Sequence, residues 1–102
     1  MRGAKKFTPP VESGVLRVEP NPFVGMVTCS VALRRATNVE LDVFDISGRQ
    51  VRRVFRGAML AGIQRVNWDG RDGTGKLVPP SIYLLRARMG DRVVTAKLVS
   101  LR

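Results

Sequence analysis

The sequence contains no histidine and only one cysteine, Cys29. Without histidine the chain lacks the side chain that most often acts as a general acid or base near neutral pH. A single cysteine excludes an internal disulfide, and its alternation with Val27 and Val31 predicts a buried, inert thiol rather than an activated nucleophile. We therefore expect no catalytic residues, no cofactor and no metal ion, and we predict that the chain is not an enzyme.

Long apolar runs are also missing, since no stretch approaches the roughly 18 residues that a membrane-spanning helix needs. The basic residues at the start of the chain resemble the beginning of a signal peptide, but Pro9 and Pro10 stand where its apolar segment should follow. We interpret residues 1–14 as a flexible linker or lead-in and residues 15–102 as one domain. An export signal, if there is one, is expected outside this sequence.

Acidic residues are scarce: 8 Asp and Glu face 18 Lys and Arg, and the formal net charge is +10. Such a charge favours attraction to polyanions such as nucleic acid, anionic lipid or acidic polysaccharide. The densest basic cluster consists of Arg49, Arg52, Arg53 and Arg56. This cluster is either a partner or polyanion surface or a set of solvated arginines on a strand face, and the sequence does not favour nucleic acid, because it has no aromatic RNA-binding sheet pattern and no helix-turn-helix pattern.

What the chain does contain is a series of short stretches in which apolar and polar residues alternate. This period of two is typical of half-buried β-strands, and glycine, proline and aspartate mark the turns between them. With 44% hydrophobic residues in 102, the chain is long enough to bury one core. The fold class we predict is all-β, an immunoglobulin-like antiparallel β-sandwich of about seven strands, at 15–19, 27–34, 39–44, 51–55, 63–68, 82–88 and 93–101.

Finer expectations follow from the same alternation. The third strand should pair antiparallel with the second across a turn at residues 34–38, and Asp42 should point outward from it. The fourth strand should be short and lie at a sheet edge or carry a bulge, with residues 58–61 forming a loop cap. On the sixth strand, Arg86 and Arg88 should face water.

Trp68 is the only tryptophan and ends a stretch in which Val66 points the same way, so we expect it in the core. The loop that follows is rich in glycine and aspartate, which permit sharp reversals and bond their side chains to nearby backbone. Tyr83 is predicted to bury its ring and to bond its hydroxyl to the backbone. The residues assigned to this structural core and turn are Trp68, Asp69, Gly70, Asp72, Gly75, Tyr83 and Phe23.

Two ligand-binding interpretations of this loop are weaker. The carboxylates of Asp69 and Asp72 suit a calcium ion, but an EF-hand loop needs oxygen ligands at the positions that Arg71 and Gly73 occupy. A phosphate-binding loop must be followed by a helix, and the two prolines within residues 77–80 prevent one.

The chain resembles a known family from about residue 15 to its last residue. The motifs that carry the resemblance, in order, are Pro20-Asn21-Pro22-Phe23, residues 39–51, Trp68-Asp69-Gly70-Arg71-Asp72, Gly75-Lys76-Leu77-Val78, Ile82-Tyr83 and residues 97–99. They are similar to the FlgD-like immunoglobulin domain and to C-terminal sorting domains of the type IX secretion system. The resemblance implies a small sandwich that is the last domain of a large exported protein.

The function that this resemblance implies is binding rather than catalysis. We expect a non-catalytic C-terminal module of an exported bacterial protein, secreted or at the cell surface, that acts in secretion sorting, surface anchoring or assembly. Its partners would be proteins of a secretion or assembly machinery and the upstream domains of its own parent chain. The alternatives are a domain of the flagellar hook-capping type and a basic adhesion or polyanion-binding module that uses the residues between Arg49 and Arg56.

Overall fold

The computed structural model describes residues 15–101, which form seven β-strands and no helix. The strands are β1 (Val15–Glu19), β2 (Val27–Leu33), β3 (Thr37–Phe44), β4 (Gln50–Met59), β5 (Gly62–Trp68), β6 (Ser81–Met89) and β7 (Arg92–Ser100). They make two antiparallel sheets, one in the order β1-β2-β5 and the other in the order β4-β3-β6-β7. The predicted all-β sandwich is therefore confirmed, while the predicted lead-in at residues 1–14 lies outside the described residues.

The core lies between the inward faces of the two sheets. On β2 every second residue from Val27 to Leu33 is buried, and β3 contributes the inward series Val39, Leu41 and Val43. Each buried side chain of this size stabilises the fold by about 1.5–3 kcal/mol relative to an exposed one. Period-two alternation in the sequence thus becomes one continuous apolar layer.

The connection between β2 and β3 crosses from one sheet to the other, so the expected β2–β3 hairpin is wrong. Both edges of β2 are already occupied, by β1 on one side and by β5 on the other. Strand β3 pairs instead with β4 and β6. The apolar faces of β2 and β3 consequently face each other across the core, which buries both more fully than a hairpin would.

Strand β4 is ten residues long and includes Gly57–Met59, so the prediction of a short strand followed by a cap at residues 58–61 is wrong. Met59 is buried and pairs with Thr37, which leaves only Leu60 and Ala61 to connect β4 to β5. The predicted edge position and irregular pairing are both found, since the β3–β4 register shifts after Leu41 and after Val43.

The free edge of β7 is covered by the segment that holds Asn21 and Phe23. The Phe23 N–H donates to the Val99 carbonyl at 2.9 Å, and the Leu101 N–H donates to the Phe23 carbonyl at 2.9 Å. The Asn21 side chain bridges the same edge, accepting from the Val99 N–H and donating to the Lys97 carbonyl. This segment occupies the hydrogen-bonding groups of the β7 edge and places the Phe23 ring against Trp68.

Residues 15–101 contain no helix with the length and apolar character needed to cross a membrane.

Candidate functional site

Three aromatic rings close one end of the core. The Trp68 ring lies 5.8 Å from that of Phe23 and 5.9 Å from that of Tyr83, the latter in an edge-to-face arrangement at 73°. Trp68 is 1% exposed, and its indole N–H donates to the Arg71 carbonyl at 2.9 Å. The cluster therefore ties β5, β6 and the segment before β2 to the loop that follows Trp68, which is the loop that borders the candidate site.

Tyr83 supports the same loop from the other side. Its hydroxyl donates to the Pro79 carbonyl at 2.5 Å, so the bond to backbone has the form expected of a tyrosine corner. Burial of the ring, with a smaller contribution from the charge of Asp45, raises the pKa of Tyr83 above its usual value. The hydroxyl consequently stays a neutral donor at physiological pH and anchors residues 79–83.

The turn between β3 and β4 is organised by one carboxylate oxygen. Asp45 Oδ1 accepts from the Ser47 N–H at 2.9 Å, the Ser47 hydroxyl at 2.6 Å and the Arg49 N–H at 3.0 Å. The backbone closes the turn, with the Gly48 N–H donating to the Asp45 carbonyl and the Asp45 N–H donating to the Arg49 carbonyl, both at 3.0 Å. Gly48 has φ of 89°, which L-residues rarely adopt.

The loop after Trp68 contains the same turn. Asp72 Oδ1 accepts from the Thr74 N–H at 2.9 Å, the Thr74 hydroxyl at 2.7 Å and the Lys76 N–H at 3.1 Å. The Gly75 N–H donates to the Asp72 carbonyl at 3.0 Å, the Asp72 N–H donates to the Lys76 carbonyl at 2.8 Å, and Gly75 also has φ of 89°. Every hydrogen bond of the first turn thus has its counterpart in the second.

We call residues 45–49 and 72–76 the twin turns, because they share both structure and sequence. Each reads aspartate, any residue, serine or threonine, glycine, and a basic residue, and a valine follows two residues later in both. The turn at Asp72 was predicted from its glycine and aspartate residues, but its likeness to the turn at Asp45 was not. The signal was present in the repeated pattern itself.

A groove of about 770 Å³ lies between the twin turns at one end of the sandwich. Val51, Val78 and Tyr83 contribute its better-buried side chains, and Ile46 and Leu77 are 78% and 54% exposed at its rim. The other residues that line the groove come mainly from the twin turns and from Pro79, Pro80 and Ser81. Apolar side chains this exposed, beside polar turns of fixed geometry, are the pattern of a binding surface.

The loop after Trp68, which forms one wall of the groove, is held to β4 by hydrogen bonds. The Arg52 guanidinium donates to the Arg71 carbonyl at 3.1 Å and to the Asp72 carbonyl at 3.3 Å, and the Gly73 N–H donates to the Val51 carbonyl at 3.1 Å. Asp69 caps the start of the loop by accepting from the Arg71 N–H at 3.1 Å. Gly70 is buried at the base of the loop, where its carbonyl accepts from the Val78 N–H at 2.9 Å.

The two turn carboxylates make the fold sensitive to acid. The Ser47 hydroxyl and then the Arg49 N–H hold the pKa of Asp45 below its usual range, and the Thr74 hydroxyl and then the Lys76 N–H do the same for the pKa of Asp72. A carboxylate with a lowered folded pKa stabilises the protein above its unfolded pKa of about 3.9, and that stabilisation is lost as the pH falls through the folded pKa.

We therefore expect the melting temperature to fall when the pH is lowered from about 5 to about 2, and to fall less in the double variant Asp45→Asn, Asp72→Asn. Circular dichroism melts of both proteins across this range measure the difference. Asp91→Asn is the matched control, because Asp91 lies exposed in another turn. Parallel pH profiles for the wild type and the double variant would contradict a role for the two charges.

The four arginines of the predicted basic cluster are not brought together as one basic surface. Arg53 and Arg56 both lie against Glu40, at 3.7 and 3.8 Å, and Arg53 also pairs with Asp42. Arg52 contacts the loop after Trp68 and Asp69, and Arg49 pairs with Asp45. Each of the four has an acidic partner, and they divide among three places on the domain.

Asp42 is the largest departure from the expected side-chain pattern. It lies on the outward face of β3, as the alternation predicts, yet it is 0% exposed because arginines from both neighbouring strands cover it. Arg53 Nε donates to Asp42 Oδ1 at 2.9 Å, and Arg86 approaches Oδ2 at 3.5 Å. Arg86 also stacks over the Phe44 ring at 4.6 Å, so it lies on the outward face as expected but is half-buried, whereas Arg88 is exposed.

The remaining candidate groups are placed as follows. Cys29 is fully buried in the core, and burial raises its pKa to about 11, so the thiol stays protonated. Among residues 15–101 no three acidic, cysteine or histidine side chains lie close enough together to hold a metal ion. The carboxylate oxygens Oδ1 of Asp69 and Asp72 accept hydrogen bonds within their own loop.

Comparison with known proteins identifies the family. The family model of the FlgD Ig-like domain matches residues 24–91, which is more than half of the chain. The match includes both twin turns, Trp68 and Tyr83. No curated protein matches the chain in sequence.

Three solved structures share the fold. Dimeric latent PorU from Porphyromonas gingivalis superposes with a TM-score of 0.70 at 18% identity and covers 83% of this chain. PorZ from the same organism, an essential bacterial surface component of the type IX secretion system, superposes with a TM-score of 0.60 at 19% identity over 85% of the chain. FlgD from P. aeruginosa has a TM-score of 0.57 at 30% identity over 72% of the chain.

The chain corresponds to only a part of each of these proteins. It spans 9% of the PorU chain, 11% of the PorZ chain and 57% of the FlgD chain. At 18% and 19% identity, PorU and PorZ show the fold alone. What the chain has in common with all three is therefore one β-sandwich module.

Proposed function

The chain belongs to the FlgD Ig-like domain family, a family of non-catalytic β-sandwich modules, and from this we propose that it is a recognition module of an exported bacterial protein. In this proposal the domain directs or anchors its parent protein by binding a protein of a secretion machinery. The parent would be secreted or held at the cell surface. The groove between the twin turns is the contact surface.

The main support for this proposal is that exposed apolar side chains lie at a groove whose walls are rigid. Ile46 and Leu77 are exposed at the groove, although the core of the same domain is well filled. The twin turns hold the groove open, because each is fixed by three bonds to one carboxylate oxygen. A preformed apolar groove binds a partner without a large cost of ordering loops.

The groove suits a protein segment better than a small metabolite. It is partly open to solvent and is lined by residues from the two turns and from a proline corner. Arg49 and Lys76 are the last residues of the twin turns and lie along it. An extended segment with apolar side chains and an acidic residue complements such a surface.

The sorting role is favoured over the two alternatives by separate observations. The sequence motifs resemble those of C-terminal sorting domains of the type IX secretion system, and this makes a role in that system the first to test; PorZ, a component of that system, shares the sandwich fold. A hook-capping role is supported by the 30% identity to FlgD and is the second candidate. Adhesion through residues 49–56 has the least support, because all four arginines pair with acidic side chains.

The experiment fuses the chain to a fluorescent carrier that has its own inner-membrane export signal, and expresses the fusion in a bacterium with a type IX system and in a strain that lacks it. We expect carrier outside the cell only in the first strain. Replacing Ile46 and Leu77 together by serine should reduce the secreted fraction by up to about tenfold, since a loss of about 1.4 kcal/mol of binding free energy raises the dissociation constant tenfold.

The matched control replaces Leu84 and Val93 by serine, two exposed apolar residues that do not line the groove. Both variants must keep the wild-type melting temperature within a few degrees. If the control reduces secretion as much as the groove variant, the groove is not the contact surface. If the wild-type fusion is retained in both strains, the sorting role is wrong and the hook-capping role is tested next.

A further inference from the structure

On the outward face of the three-stranded sheet, the polarity and charge of the residues change from one end of the strands to the other. This face has no part in the proposed function. Strand pairing places its residues in three rows across β1, β2 and β5. The rows are Val15, Ala32 and Ile63, then Arg17, Ser30 and Arg65, then Glu19, Thr28 and Asn67. One row is apolar, the middle row carries two positive charges, and the last is polar with one carboxylate.

The residues of the middle row are next to one another on adjacent strands. Ser30 pairs with Arg17 on one side and with Arg65 on the other. Because neighbouring strands lie about 4.8 Å apart, the two arginine Cα atoms are about 10 Å from each other, with the short serine side chain between them. Two guanidinium groups can therefore reach the same anion from opposite sides while the serine hydroxyl donates from below.

The charges of this pair are not neutralised within the described part of the chain. Among residues 15–101, ion pairs involve the arginines at positions 49, 52, 53, 56, 71 and 86, and neither Arg17 nor Arg65 belongs to that group. Both are exposed and border a shallow trough of about 820 Å³ that also includes Ser30. Small residues on β2 form the floor of the trough, and long ones on β1 and β5 form its walls.

Donors on three sides favour a tetrahedral anion. A phosphate group presents three terminal oxygens in divergent directions, so it can accept from both walls and the floor at once, whereas a planar carboxylate presents two. Bidentate arginine contacts are a strong mode of phosphate recognition. The middle row therefore fits a phosphate group better than the carboxylate of an acidic peptide.

The two outer rows orient the rest of the ligand. Glu19 repels negative charge at one end of the trough, while Val15, Ala32 and Ile63 form an apolar strip at the other. Ile63 is 60% exposed, and Leu60, at the end of the adjoining turn, is 75% exposed. A ligand with its phosphate on the arginines would thus extend an apolar part toward Ile63 and Leu60.

We propose that this face binds the phosphate headgroup of an anionic amphiphile, with Arg17, Arg65 and Ser30 holding the phosphate and the row that contains Ile63 contacting the apolar part. The charge of the same end of the domain adds attraction over a longer distance. The end of the domain beyond the apolar row carries Arg34, Arg35 and Arg92, with one carboxylate, Asp91, in the turn before Arg92. In the loops at the opposite end, Arg49, Arg71 and Lys76 are offset by Asp45, Asp69 and Asp72. This site is independent of the groove between the twin turns.

Binding is measured in three arms with the whole chain. Cosedimentation with vesicles of phosphatidic acid and phosphatidylcholine, compared with phosphatidylcholine alone, tests a membrane source. NMR titration with a soluble short-chain phosphatidic acid tests a monomeric amphiphile, and titration with inorganic phosphate tests the anion alone. We expect binding in all three arms, weakest for inorganic phosphate, with amide shifts centred on Ser30 and its neighbours on β1 and β5.

The double variant Arg17→Ala, Arg65→Ala should weaken binding to the anionic vesicles about thirtyfold, because one basic side chain near an anionic surface contributes about fivefold in affinity. The control Lys76→Ala, Lys97→Ala removes the same charge from exposed positions away from this face. Ile63→Ser should weaken the vesicle and short-chain arms and leave inorganic phosphate unchanged. Melting temperatures verify that all variants are folded.

The outcomes separate the possibilities. Equal losses in the arginine variant and the lysine control would mean attraction by net charge alone and would overturn the site. An unchanged vesicle affinity in Ile63→Ser would overturn the amphiphile assignment. Binding of the short-chain lipid without binding of vesicles would support the site and identify a monomeric ligand as its source, and no binding in any arm would overturn the proposal.

Discussion

Replacement of Trp68 by alanine is expected to lower the free energy of unfolding by about 3–5 kcal/mol. The indole contacts the rings of Phe23 and Tyr83 and bonds to the Arg71 carbonyl, so its removal leaves a cavity and takes away one of the two hydrogen bonds to that carbonyl, the other coming from Arg52. Because small domains have total stabilities of about 5–15 kcal/mol, the variant should be partly unfolded near its former working temperature. Urea unfolding followed by circular dichroism measures the loss.

Trp68→Phe is the matched variant for separating the ring from its hydrogen bond. Phenylalanine keeps much of the buried area but cannot donate to the Arg71 carbonyl, so we expect an intermediate loss and a loosened loop after β5. The groove should be affected in the same order, since that loop forms one of its walls. A Trp68→Ala variant within about 1 kcal/mol of the wild type would mean that the aromatic cluster does not hold the two sheets together.

Replacement of Asp42 by alanine is expected to cost about 3 kcal/mol, an unusually large effect for a residue on the outward face of a sheet. Its carboxylate lies between Arg53 and Arg86, and removing it leaves Arg86 without its acidic partner and Arg53 with only the longer contact to Glu40. The Arg86 Nε atom is buried and has no hydrogen-bond partner among residues 15–101. The arginines are partly exposed, which keeps the expected cost at the lower end of the range for buried pairs.

A double-mutant cycle isolates the interaction. Asp42→Ala in the Arg53→Ala background should cost less than in the wild type, because the hydrogen bond between Asp42 and Arg53 is already absent there. Thr95→Ala is the control on the same face, since Thr95 is exposed opposite Arg86. If Asp42→Ala is no more destabilising than this control, the buried carboxylate has no structural role.

Local patterns in the sequence account for most of the strands and for the core. The alternation through Val27, Cys29 and Val31 is decided by which residues can face an apolar layer, and this requires no knowledge of distant partners. The same holds for Trp68 and for the turn that follows it. These parts were predictable because the physical cause lies within a few residues of the effect.

The features that were predicted wrongly depend on residues far apart in the chain. The sheet to which β3 belongs is decided by competition for the edges of β2, and β5, about thirty residues later, takes the free one. The burial of Asp42 is produced by arginines on β4 and β6, which no local period reports. The likeness of the twin turns does not depend on distant contacts, because the residue pattern that they share can be found in the sequence alone.

The route of the chain between the sheets also bears on how the protein folds. It changes sheet between β2 and β3, between β4 and β5, and between β5 and β6, so neither sheet can be completed by a contiguous segment. Cutting the chain in a turn should therefore not release a stable half, and unfolding should be all-or-none in calorimetry. Assembly must await pairings of high sequence separation, which is typical of slow-folding sandwiches rather than of helical bundles.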